Sequence, residues 1–329
     1  MTKYVLKRLL LMLFTFFIIV LICFMLVRIL PRELPTDKNL AAVIQARWEA
    51  LGYGKPLLIQ FGIYLKNIFT EFDFGTSWYI EYMTPVTEVL SKRLLPTVLV
   101  NFYSLIVSIP IGIGLGVIAA IKKNKWQDQI ISILVMLFVS IPSYIYAFLV
   151  QYFLYFKLRL IDTNTLYSIA DVGFDPDAAD AWKAYFTLDM FKSMIMPIIA
   201  LSFGEIAGLC RFTRAELTET LTSDYMLLAR TKGLKKSQAT TRHALKNAMV
   251  PILPMIISSF VGILGGSMII EEIFSIPGVG SLFIKSVTLF DYDVFMIDTV
   301  FYVLVGLLAG IVVDISYGFI DPRIRMGER

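Results

Sequence analysis

Six apolar runs, each long enough to cross a lipid bilayer, constrain this chain more than any other feature of its sequence. A helix needs roughly 20 such residues to cross the hydrocarbon core. Only 17% of the residues are charged, against about 25% in soluble domains. The sequence therefore predicts an all-α, polytopic membrane protein of about six transmembrane helices. The runs cover approximately residues 9–30, 97–121, 129–156, 193–212, 250–272 and 297–320.

The first run has the basic start of a secretion signal, MTKYVLKRLL, but is long for a cleaved one. No small-x-small cleavage site follows it, and Arg28 and Arg32 come next. We therefore expect a retained first span. His243 is the only histidine, which excludes a His-rich metal site and a histidine-centred catalytic triad. We expect no catalytic, cofactor-binding or metal site in this chain.

Lysine and arginine in the short connections predict the orientation, since cytoplasmic loops carry the excess of these residues. The N-terminus, residues 122–128, residues 213–249 and the C-terminal tail are basic. These segments alternate along a six-span chain, which predicts that both termini are cytoplasmic. Residues 157–192 are rich in aspartate and fit the opposite side, together with residues 273–296. By parity, residues 31–96 also lie outside, and they read as short amphipathic helices broken by proline and glycine.

A basic segment, ARTKGLKKSQATTRHALKN at residues 229–247, interrupts the apolar pattern. Thr222, Ser223 or Asp224 is expected to cap a helix that Gly233 ends in a left-handed conformation. Ser237 is expected to cap a second helix that leads into the fifth span. Three interpretations compete: a positive-inside anchor, a DNA-binding helix-turn-helix, and a docking element for a cytoplasmic partner. Attachment to membrane spans at both ends argues against nucleic acid, and the defined caps favour docking.

The segment LARTKGLKKSQATTRHALKNAMVP resembles the cytoplasmic signature of the membrane subunits of ABC importers. Leu227 stands where that signature often has Glu, and Lys246 where it has Pro; both departures are common in the peptide-importer branch. Further blocks resemble this branch in the right order, among them DFGTSW, SIPSYIYAFLVQYFL, EEIFSIPGVGSLF and YGFIDPRIRMG. The resemblance covers nearly the whole chain. It is strongest to one of the two permease subunits of dipeptide and oligopeptide importers, the one that is usually encoded first. Nickel importers share the fold.

This resemblance implies a type I ABC importer-like permease fold and a place in the cell membrane, plasma or inner. It implies a second homologous permease subunit, two ATPase subunits that bind ATP and Mg²⁺, an extracytoplasmic solute-binding protein and a peptide substrate. Residues 1–96 would form the first transmembrane helix and an extracytoplasmic segment. Residues 97–329 would form a five-helix core with a cytoplasmic coupling loop at about 213–249.

The predicted coupling helix carries the residues expected to meet the ATPase. Tyr225, Leu228 and Ala229 are expected to form its packing face, and Arg230 and Lys232 its polar contacts. Gly233 is expected to allow the turn. The complete predicted set is Asp224, Tyr225, Leu228, Ala229, Arg230, Lys232, Gly233 and Leu234.

Residues of the second and third spans have either a packing or a pathway interpretation. Gly112, Gly114 and Gly116 allow close helix contact, or line a pathway that must flex. Pro110 and Pro142 are expected to kink their helices.

Acidic residues near the membrane are candidates for a gate or pathway. Glu271 and Glu272 point about 100° apart on a helix, so they do not form a paired acid–base site. There are two interpretations of this pair. The carboxylates cap a helix at the membrane interface, or one of them stabilises an outer gate against which Phe274 packs. Glu205 faces the pathway or forms an ion pair with Arg211 or Arg214. For Asp314, structural pairing and contact with the substrate are likewise both open. The candidate set is Glu205, Glu271, Glu272, Phe274, Pro277, Gly278 and Asp314.

Two other classes of function remain open at this stage. The chain contains no G-x-x-x-x-G-K-[ST] phosphate loop, so an ATP-driven importer needs a separate ATPase. An ion-coupled secondary transporter would need buried carboxylates, for which Glu205 and Asp314 are the deep candidates. A non-transporting scaffold would bind partners through the basic segment without solute flux.

Overall fold

The computed structural model describes residues 2–30 and 38–320, and most of them are helical. The basic tail residues 323–329, used above for orientation, lie outside these ranges. The longer helices are α1 (Thr2–Ile29), α2 (Lys38–Ala50), α3 (Leu57–Glu71), α4 (Val86–Ile121), α5 (Trp126–Ser140), α6 (Ser143–Gln151), α7 (Leu188–Leu221), α8 (Asp224–Thr231), α10 (Leu245–Gly262), α12 (Val279–Thr288) and α13 (Tyr292–Ile320). Shorter elements are the antiparallel strands β1 (Thr76–Ser77) and β2 (Thr84–Pro85), α9 (Lys236–Ala239), α11 (Met268–Ile273), π-helical turns at Tyr152–Lys157 and Thr240–Ala244, and 3₁₀ turns at Ala181–Phe186 and Ile263–Gly265.

Within the described residues, five helical stretches are long and apolar enough to cross a membrane, and a bent pair of helices supplies a sixth. The prediction of an all-α protein with about six spans is therefore confirmed. The third predicted span is not one straight helix. Its two parts, Trp126–Ser140 and Ser143–Lys157, meet at 103°. The break falls at Ile141, which is extended (φ −86°, ψ 129°) because a residue before proline is disfavoured in helical geometry. Pro110, by contrast, lies inside an α4 that runs on past it.

The chain divides into two compact units. Unit 1 comprises Met1–Leu95 and Pro277–Leu308, and unit 2 comprises Pro96–Ile276 and Ala309–Arg329. The proposed assignment of residues 1–96 and 97–329 to an extracytoplasmic segment and a permease core concerns function, and it stays a prediction.

Unit 1 is built on an aromatic core. Phe24 of α1 packs on Phe61 and Tyr64 of α3, with ring centroids 5.3 and 5.1 Å away. Tyr292 and Met296 of α13 complete the buried cluster. Short helices were predicted between residues 31 and 96, and two are present in the described part of this segment, α2 and α3, separated by residues 51–56.

Asp291 holds the β1–β2 hairpin of unit 1 in place. Its side chain is almost fully buried, and its Oδ2 accepts a hydrogen bond from the Ser77 hydroxyl at 2.7 Å. The same oxygen accepts the backbone N–H groups of Trp78, Tyr79 and Ile80 at 3.1, 3.0 and 3.2 Å. One carboxylate thus accepts hydrogen bonds from three consecutive, partly buried backbone donors.

Replacing Asp291 with Ala is expected to loosen the hairpin, since an unsatisfied buried donor costs about 1–3 kcal/mol. Amide hydrogen exchange at residues 77–80 should accelerate at least tenfold. Asp291→Asn keeps one acceptor oxygen and should show a smaller increase. Unchanged exchange in Asp291→Ala would contradict the assigned role of this carboxylate.

Unit 2 is organised around α7, which packs against α5, α6 and α10. Two glycines of α4 bring the backbones of α4 and α7 together. A Cβ added at Gly112 would lie 2.8 Å from Leu209 Cβ, and one at Gly116 would lie 2.6 Å from Thr213 Cβ. A Cβ at Gly114 would meet nothing within 4 Å. The packing interpretation therefore holds for Gly112 and Gly116.

An ion pair adds to this packing. Arg214 of α7 binds Asp128 of α5 through two parallel contacts, Nε to Oδ1 at 2.5 Å and a terminal nitrogen to Oδ2 at 2.9 Å. Asp128 is buried, and its Oδ2 also accepts the N–H of Asn124 at 2.8 Å. A fork-shaped pair of this kind fixes both distance and orientation between two helices.

Gly116→Ala is expected to destabilise the protein by about 1–3 kcal/mol, because the added methyl overpacks the α4–α7 contact. Gly114→Ala is the matched control and should be neutral or slightly stabilising, since alanine is the better helix former. Thermal unfolding of the detergent-purified proteins measures both. Equal effects of the two substitutions would rule out a special role for position 116.

Candidate functional site

The segment 224–246 forms a helix, a glycine turn and a second helix, as predicted. Ser223 occupies the N-cap position of α8 with extended geometry (φ −74°, ψ 154°). Its hydroxyl does not cap the helix but donates to the carbonyl of Thr220 at 2.6 Å. Asp224 lies in the first turn, where a negative charge interacts favourably with the helix dipole.

Gly233 has a φ of +88°, so the left-handed turn predicted for it is confirmed. The turn is closed by the Gly233 N–H, which donates to the Arg230 carbonyl at 3.0 Å. A Cβ at position 233 would meet nothing within 4 Å. The requirement for glycine is therefore one of backbone conformation and not of space.

The second helix begins earlier than predicted. Lys235, and not Ser237, is its N-cap, and the Lys235 N–H donates to the Gln238 side chain at 3.2 Å. The sequence signal for this is a Gln three residues into the helix, which can bond back to the backbone of the capping position. The helix then passes through the π-helical turn Thr240–Ala244 directly into α10. The segment is thus joined to α10 without a flexible connection.

The predicted packing face of α8 divides into two sides. Ala229 is buried inside unit 2, together with Met226, in a cluster that includes Leu217 of α7 and Ala239 and Ala248 of the following helix. The buried side of α8 is therefore Met226 and Ala229, whose spacing of three residues places them on one helical face. Sequence reasoning missed Met226.

The outer side of α8 is apolar as well. Tyr225 and Leu228 are exposed, as is Leu227, which is 64% exposed. Arg230 and Lys232 are exposed, and Leu234 is half-buried against the inner cluster. The outer side therefore presents an apolar surface beside two cations.

A second candidate region surrounds Glu271. The fifth predicted span ends earlier than residue 272, because α10 and its 3₁₀ turn stop at Gly265 and Gly266 has a φ of +63°. Glu271 then lies in the separate helix α11, where it is 2% exposed and accepts a hydrogen bond from the Thr97 hydroxyl at 2.9 Å. A Cβ at Gly266 would collide with the Glu271 carboxylate.

The neighbours of Glu271 have different environments. Glu272 is exposed, whereas Phe274 is fully buried. The Phe274 carbonyl accepts the Leu166 N–H at 2.8 Å, which ties the end of α11 to the 158–180 connection. Pro277 and Gly278 belong to unit 1, where Gly278 is the N-cap of α12.

Glu205 lines a cavity together with Ser259 of α10. Arg214 is bound to Asp128, and in the described part of the chain no ion pair joins Glu205 to Arg211 or Arg214. Asp314 is half-buried on α13. Among the described residues, no group of three or more His, Cys, Asp or Glu side chains could hold a metal ion.

Comparison with known proteins identifies the class. Residues 112–326 match the family described as "Binding-protein-dependent transport system inner membrane component". The chain is 35% identical to the dipeptide transport system permease protein DppB of Lactococcus lactis subsp. cremoris (strain MG1363), over 99% of this chain and all of the relative. It is 32% identical to the glutathione transport system permease protein GsiC of Escherichia coli (strain K12) and to that of Salmonella typhi, over 99% of each chain.

With its membrane-spanning helices, the chain is a multi-pass protein of the plasma membrane and a component of a transport system. It belongs to the binding-protein-dependent transport system inner membrane component family. The family match includes the whole 224–246 segment, both partners of the Glu271–Gly266 contact, and Glu205.

Gly266→Ala is expected to destabilise the α10–α11 junction by about 1–3 kcal/mol, because alanine is strained at this φ and its methyl meets the Glu271 carboxylate. Gly262→Ala is the matched control: Gly262 has helical geometry and open space around it. The apparent unfolding temperature of the purified proteins distinguishes them. A loss of equal size at both positions would remove the argument for Gly266.

Proposed function

We propose that this chain is a transmembrane pore subunit of an ATP-driven peptide importer. The observation that carries the proposal is the 224–246 segment, a structured lever that is joined to α7 and α10 and has an apolar, exposed outer side. Membership in the transport family supports it. The dipeptide and glutathione named in the relatives' descriptions are both peptides, which supports peptides as the solute.

The proposed complex contains partners that supply what this chain lacks. A second, homologous permease completes the pathway, and two ATPase subunits bind ATP and Mg²⁺, since this sequence has no phosphate loop. An extracytoplasmic binding protein docks on residues 31–96 and on the acidic connection 157–192 and delivers the solute. In that connection, hydrogen bonds from Ser168 lower the pKa of Asp171.

The coupling mechanism follows from the two sides of α8. Tyr225, Leu227 and Leu228 contact a groove of the ATPase on the cytoplasmic side, with Arg230 and Lys232 at its edge. Met226 and Ala229 fasten α8 to α7 and to the start of α10. A movement of the ATPase therefore moves both membrane helices instead of deforming a loop, and the pathway opens to alternate sides. In this mechanism Glu271 and Phe274 belong to the outer gate.

Gly233→Val tests the coupling role. A β-branched residue at this positive φ is strained by roughly 1–2 kcal/mol, so the turn should change and the ATPase should be lost on co-purification, or its hydrolysis should become independent of solute. Gly173→Val is the matched control, because Gly173 has a φ of +84° and equally open surroundings. It should retain the ATPase.

Leu228→Glu tests the outer side of α8 without straining the backbone, and should give the same loss. If wild type retains no ATPase and uptake survives ATP depletion, the importer proposal is wrong. Ion coupling through Glu205 or Asp314 would then become the mechanism to test.

A further inference from the structure

A polar cavity lies in unit 2 among α4, α7 and the junction of α10 and α11. Its volume is about 230 Å³. Its walls contain five polar side chains, which are those of Asn101, Ser104, Glu205, Ser259 and Ser267. Several lining residues are half-buried or exposed, so the cavity opens to the surface of this chain.

Among the described residues that line this cavity, Glu205 is the only charged one. In the same part of the chain no ion pair joins it to a cationic side chain. A carboxylate among membrane-spanning helices is costly unless it is paired, and such residues mark pathways for substrates or ions. The geometry therefore leaves this carboxylate available for a cation that is not part of this chain.

The remaining wall favours a cation that donates hydrogen bonds. The Asn101 amide nitrogen donates to the Thr97 carbonyl at 2.8 Å, and its side-chain oxygen is an acceptor for a ligand. The hydroxyls of Ser104, Ser259 and Ser267 also accept hydrogen bonds. Glu271 stands directly behind Gly266, another wall residue, and adds a second carboxylate near the site.

We propose that Glu205 binds the α-ammonium group of the transported peptide. This inference rests on the proposed function, and names a binding group within its pathway. An ammonium presents three donors, which match the Glu205 carboxylate and the neighbouring oxygen acceptors. Every peptide with a free N-terminus has this group whatever its side chains, so the site recognises peptides without reading their sequence.

Photolabelling tests the proposal directly in the purified complex, without the binding protein. The probe is the dipeptide alanyl-benzoylphenylalanine, compared with its N-acetylated form. Wild type should be labelled by the free dipeptide, with Ala-Ala competing, and about tenfold less by the acetylated form, as expected for the loss of a charge-assisted hydrogen bond. Glu205→Gln, which keeps the size of the side chain, should reduce labelling by the free dipeptide about tenfold. Glu205→Asp should restore the preference for the free amine.

The outcomes separate this inference from the proposed function. Competitive labelling that is equal for free and acetylated dipeptides, and unchanged in Glu205→Gln, overturns the ammonium site but leaves a peptide permease. Absence of any labelling that Ala-Ala displaces from wild type contradicts the peptide function itself. If labelling is indifferent to acetylation and Glu205→Gln abolishes a sodium dependence of uptake, the carboxylate binds an inorganic cation and the inference is wrong.

Discussion

The close approach of α4 and α7 is the contact on which the rest of unit 2 depends. Lipid offers no hydrophobic drive for helices to associate, so they rely on close packing and on polar contacts. Gly112 and Gly116 supply the first, and the Asp128–Arg214 pair supplies the second by fixing α5 against the same helix. With α7 positioned in this way, its residue Glu205 lines the cavity. Further along the same helix, Leu217 packs against the buried side of α8.

Continuity of the chain relates the two candidate regions to each other. The 224–246 segment begins three residues after α7 ends and runs without a break into α10. Those two helices also form two walls of the cavity that contains Glu205 and Ser259. A rigid displacement of the segment therefore moves both of these walls together. Packed, rigid elements of this kind carry coupling between distant sites, and here the 224–246 segment and the cavity share the same helices.

Local patterns predicted much of this structure, and long-range contacts account for what they missed. Apolar runs identified the spans because their length is set by the bilayer, and the turn at Gly233 was predictable because a positive φ favours glycine. The pairing of Asp128 with Arg214 joins residues 86 positions apart, and no local pattern indicates it. The end of the fifth span was predicted too late along the chain. The helix stops before Gly266, whose backbone lies against the buried carboxylate of Glu271, and such a tertiary contact leaves no local sequence pattern.

Three carboxylates of unit 2 differ in how far hydrogen bonds and cations of this chain balance their negative charge. This difference distinguishes structural from functional roles. Asp128 is paired with a guanidinium and serves to hold helices together. Glu271 is buried against Thr97 and Gly266, where it shapes a backbone turn. Glu205 lines the cavity, and in the described part of the chain no ion pair joins it to a cationic side chain. A charge that the fold leaves incompletely compensated in a membrane costs stability. The binding of a cationic solute group would recover that cost only while the solute is present.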